Sequence, residues 1–331
     1  MDRRQLGTHG PRTSELGLGM MAMSGMYGAS DQDESIATVH AALDAGVTLL
    51  DTGDFYGMGD NEMLLREAVR GRERSSFQIS VKFGAQRGPD GSWLGHDARP
   101  EAVKTWLAYS LRRLGTDYVD VYRPARLDAN VPIEETVGAI KEMVEAGYVR
   151  HIGLSEVGAE TIRRAHAVHP IADLQIEYSL FSRGIEREIL PTVRELGIGI
   201  TAYGVLSRGL LSGHWTPQRS GGTGDLRGYT PRFQGENLDR NLALVEALRK
   251  VAQAKGVTVA QLAIAWVAAQ DRLIVPLVGA RRRDRLAEAF GALEVRLTDA
   301  DLAAIEAAVP QGSASGERYA ASQIAHLDSE K

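Results

Sequence analysis

Short apolar segments alternate with amphipathic ones along almost the whole chain of 331 residues, and no other feature restricts its fold as much. Eight segments have the apolar, β-branched composition of strands: 15–19, 47–51, 77–83, 117–122, 150–154, 172–177, 198–203 and 273–278. Eight segments with helical spacing follow them in turn: 34–45, 60–70, 100–114, 133–146, 159–168, 185–196, 237–255 and 281–292. Alternating strand–helix units form a parallel sheet, and eight of them in a chain of this length close it into a barrel. The sequence therefore predicts an α/β protein with a (β/α)8 TIM barrel.

Four segments lie outside these eight units, and none of them divides the chain into two domains. We expect an N-terminal hairpin over 3–14, a long loop over 214–235, an extra buried helix over 258–269 and a polar, irregular tail over 311–331. The long loop follows the seventh strand, so it belongs on the C-terminal face of the barrel, where loops usually serve binding. We predict a single domain over 1–331 with its core at about 10–310.

The composition excludes several classes of site. The chain contains no cysteine, which rules out disulfides, thiolate zinc sites, a CxxC redox pair and a cysteine nucleophile. Its formal net charge of −5 lacks the basic surplus of a nucleic-acid-binding protein. No apolar run reaches the roughly 18 residues of a membrane span, no secretory apolar region follows the N-terminal arginines, and no metal-ligand spacing occurs. We expect a cytoplasmic protein that binds no nucleic acid, membrane or metal.

Polar residues at the C-terminal ends of the predicted strands are the first candidates for function, because TIM-barrel active sites lie at that edge. The second strand ends at Asp51, Tyr56 follows five residues later, and Lys82 lies at the end of the third strand. A buried ammonium is unfavourable unless it is paired, and Asp51 on the neighbouring strand is the expected partner. An ammonium near Tyr56 would lower the pKa of the phenol and make it a general acid. The alternative is a structural salt bridge with an unrelated tyrosine nearby.

Seven segments, in chain order over about 10–310, resemble the aldo-keto reductases, and most closely their bacterial and potassium-channel-β-subunit-like branch. They are VTLLDTGDFYG, ISVKFG, VDVYRPARLD, VRHIGLSE, LQIEYSLFSR, ITAYGVLSRGLLSG and IVPLVGARRRDRLAEA. The resemblance implies a (β/α)8 barrel that binds NADPH in extended form without a Rossmann domain. In agreement, Ala22 stands where a G-x-G-x-x-G fingerprint starting at Gly17 would need its third glycine.

The resemblance also assigns roles to single residues. Tyr56 donates the proton, Asp51 and Lys82 tune it, and hydride passes from the nicotinamide of NADPH to a carbonyl carbon. The other matched positions are cofactor contacts: Ser155 and Gln175 on the nicotinamide amide, Tyr203 against the nicotinamide ring, Leu206, Ser207, Arg208 and Gly209 along the pyrophosphate, and Gly279, Arg281, Arg285 and Glu288 at the adenosine end.

The resemblance makes Arg281 and Arg285 the candidate ligands of the cofactor 2′-phosphate. They lie where the helix after the eighth strand begins, and backbone N–H groups and the helix dipole favour an anion there. The alternative is that the run 281–285 is a solvated helix face. Two departures weaken the adenosine site, because Ala280 and Ala289 replace a usual hydroxyl residue and a usual asparagine.

Ala125 is the departure with the largest consequence for catalysis. By the resemblance it stands where a catalytic histidine ends the fourth strand, and alanine cannot donate a hydrogen bond to the carbonyl. Loss of one such donor typically costs about 10²–10³ in rate. Three explanations stay open: Arg123 on the same strand face supplies the donor, a water or substrate group fills the space, or the protein is a weak enzyme that mainly binds NADPH. His96 and His214 lie in loops that can reach the mouth and are further candidates.

We expect an NADPH-dependent reductase of aldehydes or ketones that acts on a small carbonyl compound. The main rival is an NADPH-binding sensor or regulatory protein with weak turnover, and the second is a metal-dependent barrel lyase or hydrolase. The substrate pocket is expected between loops 83–99 and 214–235, with Phe55, Trp93 and Trp215 as candidate apolar walls. Whether the chain forms an oligomer stays open.

Overall fold

The computed structural model describes residues 1–216, 218 and 225–331, and within them eight parallel strands form a closed barrel. The strands follow one another around the barrel in chain order: β1 (Gly17–Gly19), β2 (Leu49–Gly53), β3 (Gln78–Phe83), β4 (Val119–Pro124), β5 (Val149–Ser155), β6 (Ile171–Glu177), β7 (Gly199–Tyr203) and β8 (Ile274–Gly279). The barrel closes where β8 pairs with β1, with Leu277 opposite Gly17 and Gly279 opposite Gly19. Each of the eight barrel strands overlaps a predicted one, so the predicted single-domain (β/α)8 fold is confirmed. A short antiparallel pair that was not predicted, Ala85–Arg87 with Trp93–His96, lies in the loop after β3.

Helices surround the barrel, and most of them bury apolar residues against it. They are α1 (Gln32–Asp44), α2 (Asp60–Ala68), α3 (Pro100–Leu114), α4 (Ile133–Glu145), α5 (Ala159–Val168), α6 (Ile189–Leu196), α7 (Gly235–Lys255), α8 (Val259–Gln270), α9 (Arg283–Phe290), α10 (Asp299–Ala308) and α11 (Ala321–Ile324). In α4 the buried face contains Ile133, Val137 and Ile140, which recur with the spacing of a helix, and Val144 on the same face is partly buried.

The predicted extra helix before the last strand is confirmed as α8. Thr258 and Gln261 form a reciprocal capping box at its start, which fixes where the helix begins. Two other helices begin later than predicted. A separate short turn, Gly184–Glu186, precedes α6, and Arg282 adopts an extended conformation that delays the start of α9. No single helix among the described residues passes the length and hydropathy test for a membrane span; α7 and α8 pass it only as a pair bent by 87°.

The predicted N-terminal hairpin is confirmed, with Arg3–Gln5 paired to Arg12–Ser14. It covers the N-terminal end of the barrel, where Leu6 packs against Leu49 and Val275 from the starts of two strands. Its turn contains Gly7 with φ of +64°, and a Cβ there would lie 2.5 Å from a backbone nitrogen of β7. Glycine is therefore required for the hairpin to reach the barrel floor.

The segment 311–331 is more ordered than the irregular tail that the sequence predicts. It contains the short helix α11, and it returns to the C-terminal mouth of the barrel. Arg318 is 6% exposed and Leu327 is 2% exposed, so the segment is packed into the molecule. A mostly polar sequence gave no periodic signal for this packing, because the segment is held mainly by ion pairs and hydrogen bonds.

Candidate active site

A pair of opposite charges lies inside the barrel at the ends of β2 and β3. The ammonium of Lys82 bonds to Oδ1 of Asp51, and the two side chains are 4% and 3% exposed. Ser80 and Gln175 donate to Oδ2 of the same carboxylate at 2.8 and 2.7 Å. Burial lowers the pKa of Lys82 to about 8, although Asp51 opposes that shift. The carboxylate is therefore fully coordinated, and the lysine stays mainly protonated at neutral pH.

Tyr56 lies beside this pair, on a short turn, Tyr56–Gly59, that follows β2. Its ring centroid is 5.0 Å from Nζ of Lys82, so the structure brings together the three predicted catalytic residues. The predicted direction of the pKa shift is wrong. Burial of the phenol and the nearby charge of Asp51 raise the pKa of Tyr56 well above 10.

Arg123 is fully buried inside the barrel and is paired in register with Lys82 on the neighbouring strand. Its guanidinium donates to Ser80 at 2.8 Å and Thr201 at 3.1 Å, and it lies 3.1 Å from a carboxylate oxygen of Asp173. These contacts give both terminal nitrogens protein partners inside the barrel. The arrangement argues against Arg123 as the donor for a substrate at the mouth.

Ala125 continues the ladder beyond β4, since its N–H donates to the carbonyl of Phe83 at 2.8 Å. Side chains alternate between the two faces of a strand, and Arg123 points into the barrel. The Cβ of Ala125, two residues later, therefore points inward as well. The guanidinium of the next residue, Arg126, folds back and donates from Nη1 to the carbonyl of Ala125 at 2.6 Å. A cation therefore lies next to position 125.

The predicted nicotinamide contacts lie together on neighbouring strands. Ser155 and Gln175 are paired in register at the ends of β5 and β6. The hydroxyl of Ser155 is buried and has no partner among the described residues, which suits a ligand amide at this point. Tyr203 ends β7, where its hydroxyl donates to Glu156 at 2.7 Å and lies 2.8 Å from the hydroxyl of Tyr319.

The predicted pyrophosphate loop, Leu206 to Gly209, turns sharply after β7. Ser207 and Arg208 have φ of 46° and 54°, a left-handed conformation that non-glycine residues rarely adopt outside functional sites. Arg208 donates to the carbonyl of Arg318 and lies 3.4 Å from Glu177. Its side chain is therefore turned toward the C-terminal segment.

The predicted adenosine residues surround the start of α9. A cavity of about 780 Å³ lies there between residues 29–34 and 281–284. Nη1 of Arg281 donates to the carbonyls of residues 27 to 29 at 2.8–3.2 Å, while its Nε and Nη2 have no acceptor among the described residues. Arg285 contacts Glu288 at 3.2 Å and also His214. Gly279 ends β8, and a Cβ there would meet no atom closer than 3.9 Å.

A group of buried charges that the sequence reasoning did not identify links the mouth to the C-terminal segment. Arg318 donates to both oxygens of Glu156 at 2.9 and 2.5 Å and lies 3.4 Å from Glu177. Arg208 and Arg232 also face Glu177, at 3.4 and 3.6 Å. Burial alone would raise the pKa of Glu156, but Arg318 outweighs it and brings that pKa to about 2. The sequence contained one indication of this group, since Glu156 follows Ser155 directly and Glu177 follows Gln175 by two residues at the ends of their strands.

The candidate pocket walls are only partly brought together. The ring of Phe55 lies 4.8 Å from Tyr56 and 6.4 Å from Trp93, which in turn lies 5.1 Å from His96. Burial lowers the pKa of His96 to about 4 and its Nε2 has no partner among the described residues, so the ring is neutral. Trp215 packs instead against Phe233 and Arg227. Of the loop 214–235, residues 217 and 219–224 lie outside the described residues.

The comparisons with known proteins agree with this geometry. The aldo/keto reductase family model matches residues 15–310. A probable aldo-keto reductase from Glycine max is 43% identical over 318 residues, covering 95% of this chain and 91% of that protein. A glycerol dehydrogenase from Gluconobacter oxydans superposes with a TM-score of 0.84 at 28% identity, over 99% of this chain and 96% of that chain. The holo form of an aldo-keto reductase from Bacillus halodurans gives 0.78 at 26% identity, over 93% and 96%. The chain belongs to the aldo/keto reductase family.

Proposed function

We propose that this protein reduces aldehydes or ketones with NADPH, and that Tyr56 donates the proton. The observation that carries the proposal is the buried phenol beside the Asp51–Lys82 pair at the barrel mouth. The aldo/keto reductase family acts on small carbonyl compounds with nicotinamide cofactors. A bound reduced nicotinamide supplies the hydride, and the protein supplies orientation and the proton.

The surroundings of Tyr56 support its role as a general acid. Its side chain is buried at the barrel mouth beside the Asp51–Lys82 pair, where the hydroxyl can donate to a substrate oxygen. As the phenol gives up its proton, negative charge develops on a ring that lies 5.0 Å from the Lys82 ammonium. Attraction between these charges lowers the free energy of the transition state. Asp51 in turn keeps the ammonium paired and in place.

Residues along the mouth fit the cofactor that the family uses. The unpartnered hydroxyl of Ser155 and the adjacent Gln175 would hold the nicotinamide amide, and Tyr203 offers an aromatic face beside them. The free nitrogens of Arg281, with Arg285 on the first turn of α9, support a preference for the extra phosphate of NADPH. Leu206, Ser207 and Gly209 provide the tight turn that would follow the pyrophosphate.

The test is the substitution Tyr56→Phe, which removes only the hydroxyl. We expect carbonyl reduction to fall by about 10²–10⁴ because the general acid is lost. Binding of NADPH, followed by fluorescence titration, should be unchanged. Tyr109→Phe is the matched control, since that tyrosine is 53% exposed on α3 and lies outside the mouth. Near-normal turnover by Tyr56→Phe would show that the proton comes from another group.

A cofactor-binding sensor with weak turnover is the second candidate, and Ala125 is the observation that favours it. By the family resemblance this buried alanine replaces the histidine that polarises the carbonyl. Steady-state rates of the wild-type protein on a panel of small aldehydes distinguish the two functions. Tight NADPH binding without turnover on any member of the panel would favour the sensor.

A further inference from the structure

The mouth of the barrel contains a chain of hydrogen bonds whose direction is fixed by charge. Glu156 is ionised because Arg318 holds it, so its carboxylate can only accept, and the hydroxyl of Tyr203 donates to it at 2.7 Å. The oxygen of Tyr203 then accepts from the hydroxyl of Tyr319 at 2.8 Å. The oxygen of Tyr319 accepts in turn from Nη2 of Arg126 at 3.2 Å. The C-terminal segment therefore orients the Arg126 guanidinium.

Among the described residues, the Arg126 guanidinium has no carboxylate partner. No acidic oxygen of the described residues lies within 4.0 Å of its nitrogens, whereas Lys82, Arg123 and Arg318 are each paired. Nη1 bonds to the carbonyl of Ala125 and Nη2 to Tyr319, so Nε and the second hydrogens of both terminal nitrogens stay available. A half-buried guanidinium with unused donors is suited to an oxygen that becomes negative.

Arg126 lies at the same edge of the barrel as the proposed general acid, because the N–H of Ala125 bonds to the carbonyl of Phe83, the residue after Lys82. Burial and Asp51 raise the pKa of Tyr56, and Arg126 is among the charges that oppose this rise. Its guanidinium lies directly over the carbonyl of Ala125, whose Cβ points into the barrel. The guanidinium of Arg123 is already bonded to Ser80 and Thr201 inside the barrel.

We infer that Arg126, oriented by Tyr319, donates the hydrogen bond to the substrate carbonyl oxygen that Ala125 cannot provide. This inference rests on the proposed function. During reduction, hydride from NADPH forms the new bond to carbon, the carbonyl π electrons move to oxygen, and the proton of Tyr56 forms the O–H bond. Arg126 transfers no proton; it stabilises the oxygen while the charge develops. Arg126 is thus a catalytic residue, and Tyr319 is a positioning residue.

The first test compares Arg126→Ala and Arg126→Lys with a matched control, Arg112→Ala, an exposed arginine on α3. Arg126→Ala should lower kcat for a small neutral aldehyde by about 10²–10³ while NADPH affinity is retained. Arg126→Lys keeps the charge and should lose less. Methylguanidinium at millimolar concentration should restore part of the lost kcat of Arg126→Ala and leave the control unchanged.

A second test combines positions 125 and 126. If Arg126 already supplies the donor, Ala125→His alone should raise kcat only slightly, because the carbonyl oxygen already accepts a hydrogen bond from Arg126. The same substitution in an Arg126→Ala background should raise kcat well above that of the single variant. Tyr319→Phe should lower kcat by roughly tenfold, the value of a hydrogen bond to a charged group. Methylguanidinium should not rescue it, since the guanidinium is still present.

The possible outcomes separate this inference from the proposed function. Normal turnover by Tyr56→Phe overturns the proposed function. If Tyr56→Phe is inactive and Arg126→Ala is not, the inference alone is wrong. It is also wrong if the loss in Arg126→Ala is confined to aldehydes that carry a carboxylate, because Arg126 would then bind a substituent. A comparable loss in His96→Ala, with Arg126→Ala unaffected, would assign the donor to that imidazole.

Discussion

At the scale of single residues, burial and pairing decide which groups of the candidate active site carry charge. Burial lowers the pKa of Lys82 to about 8 against the opposing effect of Asp51, so the ammonium keeps its proton near neutral pH. Burial and Asp51 raise the pKa of Tyr56, so the phenol holds its proton until a substrate oxygen accepts it. An acid that stays protonated beside a cation that can stabilise its conjugate base is suited to proton donation.

Cofactor preference is a prediction at this scale. Wild-type protein should bind NADPH at least tenfold more tightly than NADH, because one charge-assisted hydrogen bond to phosphate is worth about that factor. Arg285→Leu should reduce the preference, although Glu288 already shares this guanidinium at 3.2 Å. Arg296→Leu, at an arginine outside the site, is the control. Fluorescence titration measures both affinities, and equal values in the wild type would remove the phosphate assignment.

The sequence predicted pairings better than it predicted charge states. The Asp51–Lys82 pair follows from adjacent strand ends and the cost of burying an unpaired ammonium, and the structure contains it. Whether the pKa of Tyr56 is raised or lowered depends on how deeply the turn Tyr56–Gly59 buries the phenol. The spacing of residues along the chain does not predict that depth. Likewise, Arg126 lay next to Ala125 in the sequence, but its orientation depends on Tyr319, almost 200 residues later.

At the scale of elements, the C-terminal segment is joined to the barrel mouth through a left-handed residue. Glu156 follows β5 with φ of 54°, a strained conformation for a non-glycine residue. Besides Arg318, it accepts from Ser329 at 2.7 Å, and Asp328 accepts from the N–H of Gly158 at 2.8 Å. Arg318, Asp328 and Ser329 of the C-terminal segment therefore all bind the loop 156–158 that follows β5. Strain at Glu156 is maintained by these contacts.

Removal of the central arginine of this segment should destabilise the whole protein. Arg318→Met leaves Glu156 buried without its main cation, and breaking such a pair typically costs about 3–5 kcal/mol. Arg240→Met is the matched control, because the Arg240–Glu236 pair is exposed on α7 and should contribute nothing measurable. Urea unfolding followed by circular dichroism gives both values. Equal stability of the two variants would mean that the buried pair is not required.

Elements with regular periodicity were predictable, and the C-terminal segment was not. The strands and α4 follow from apolar residues repeated with the periods of a strand or a helix. The segment 311–331 has no such repeat, and its contacts are made by single polar side chains with partners far away in sequence. Polar side chains have no periodic signature, so only the folded chain reveals which of them become buried.

At the scale of the whole molecule, the barrel interior changes from apolar to charged along its axis. Leu6, Leu49 and Val275 close the N-terminal end, in the manner of the branched apolar layers usual for this fold. Toward the mouth, the hydroxyl of Ser80 accepts from Arg123 and donates to Asp51, which joins two polar layers. Buried charges contribute to stability in a way that depends on pH, so this half of the barrel should control acid and base stability.

Asp54 provides the last prediction, because its carboxyl group is 6% exposed and burial raises its pKa to about 7. The unfolded chain ionises this group near pH 4, so the contribution of Asp54 to the free energy of unfolding falls as pH rises from about 4 to 7 and is constant above. Asp54→Asn stays neutral and can still accept from Gly84. The variant should therefore gain up to about 4 kcal/mol over wild type at pH 8, at 1.36 kcal/mol for each pKa unit, and little at pH 4. Urea unfolding at both pH values measures the difference, with the exposed Asp117→Asn as control. A pH-independent difference would contradict the prediction.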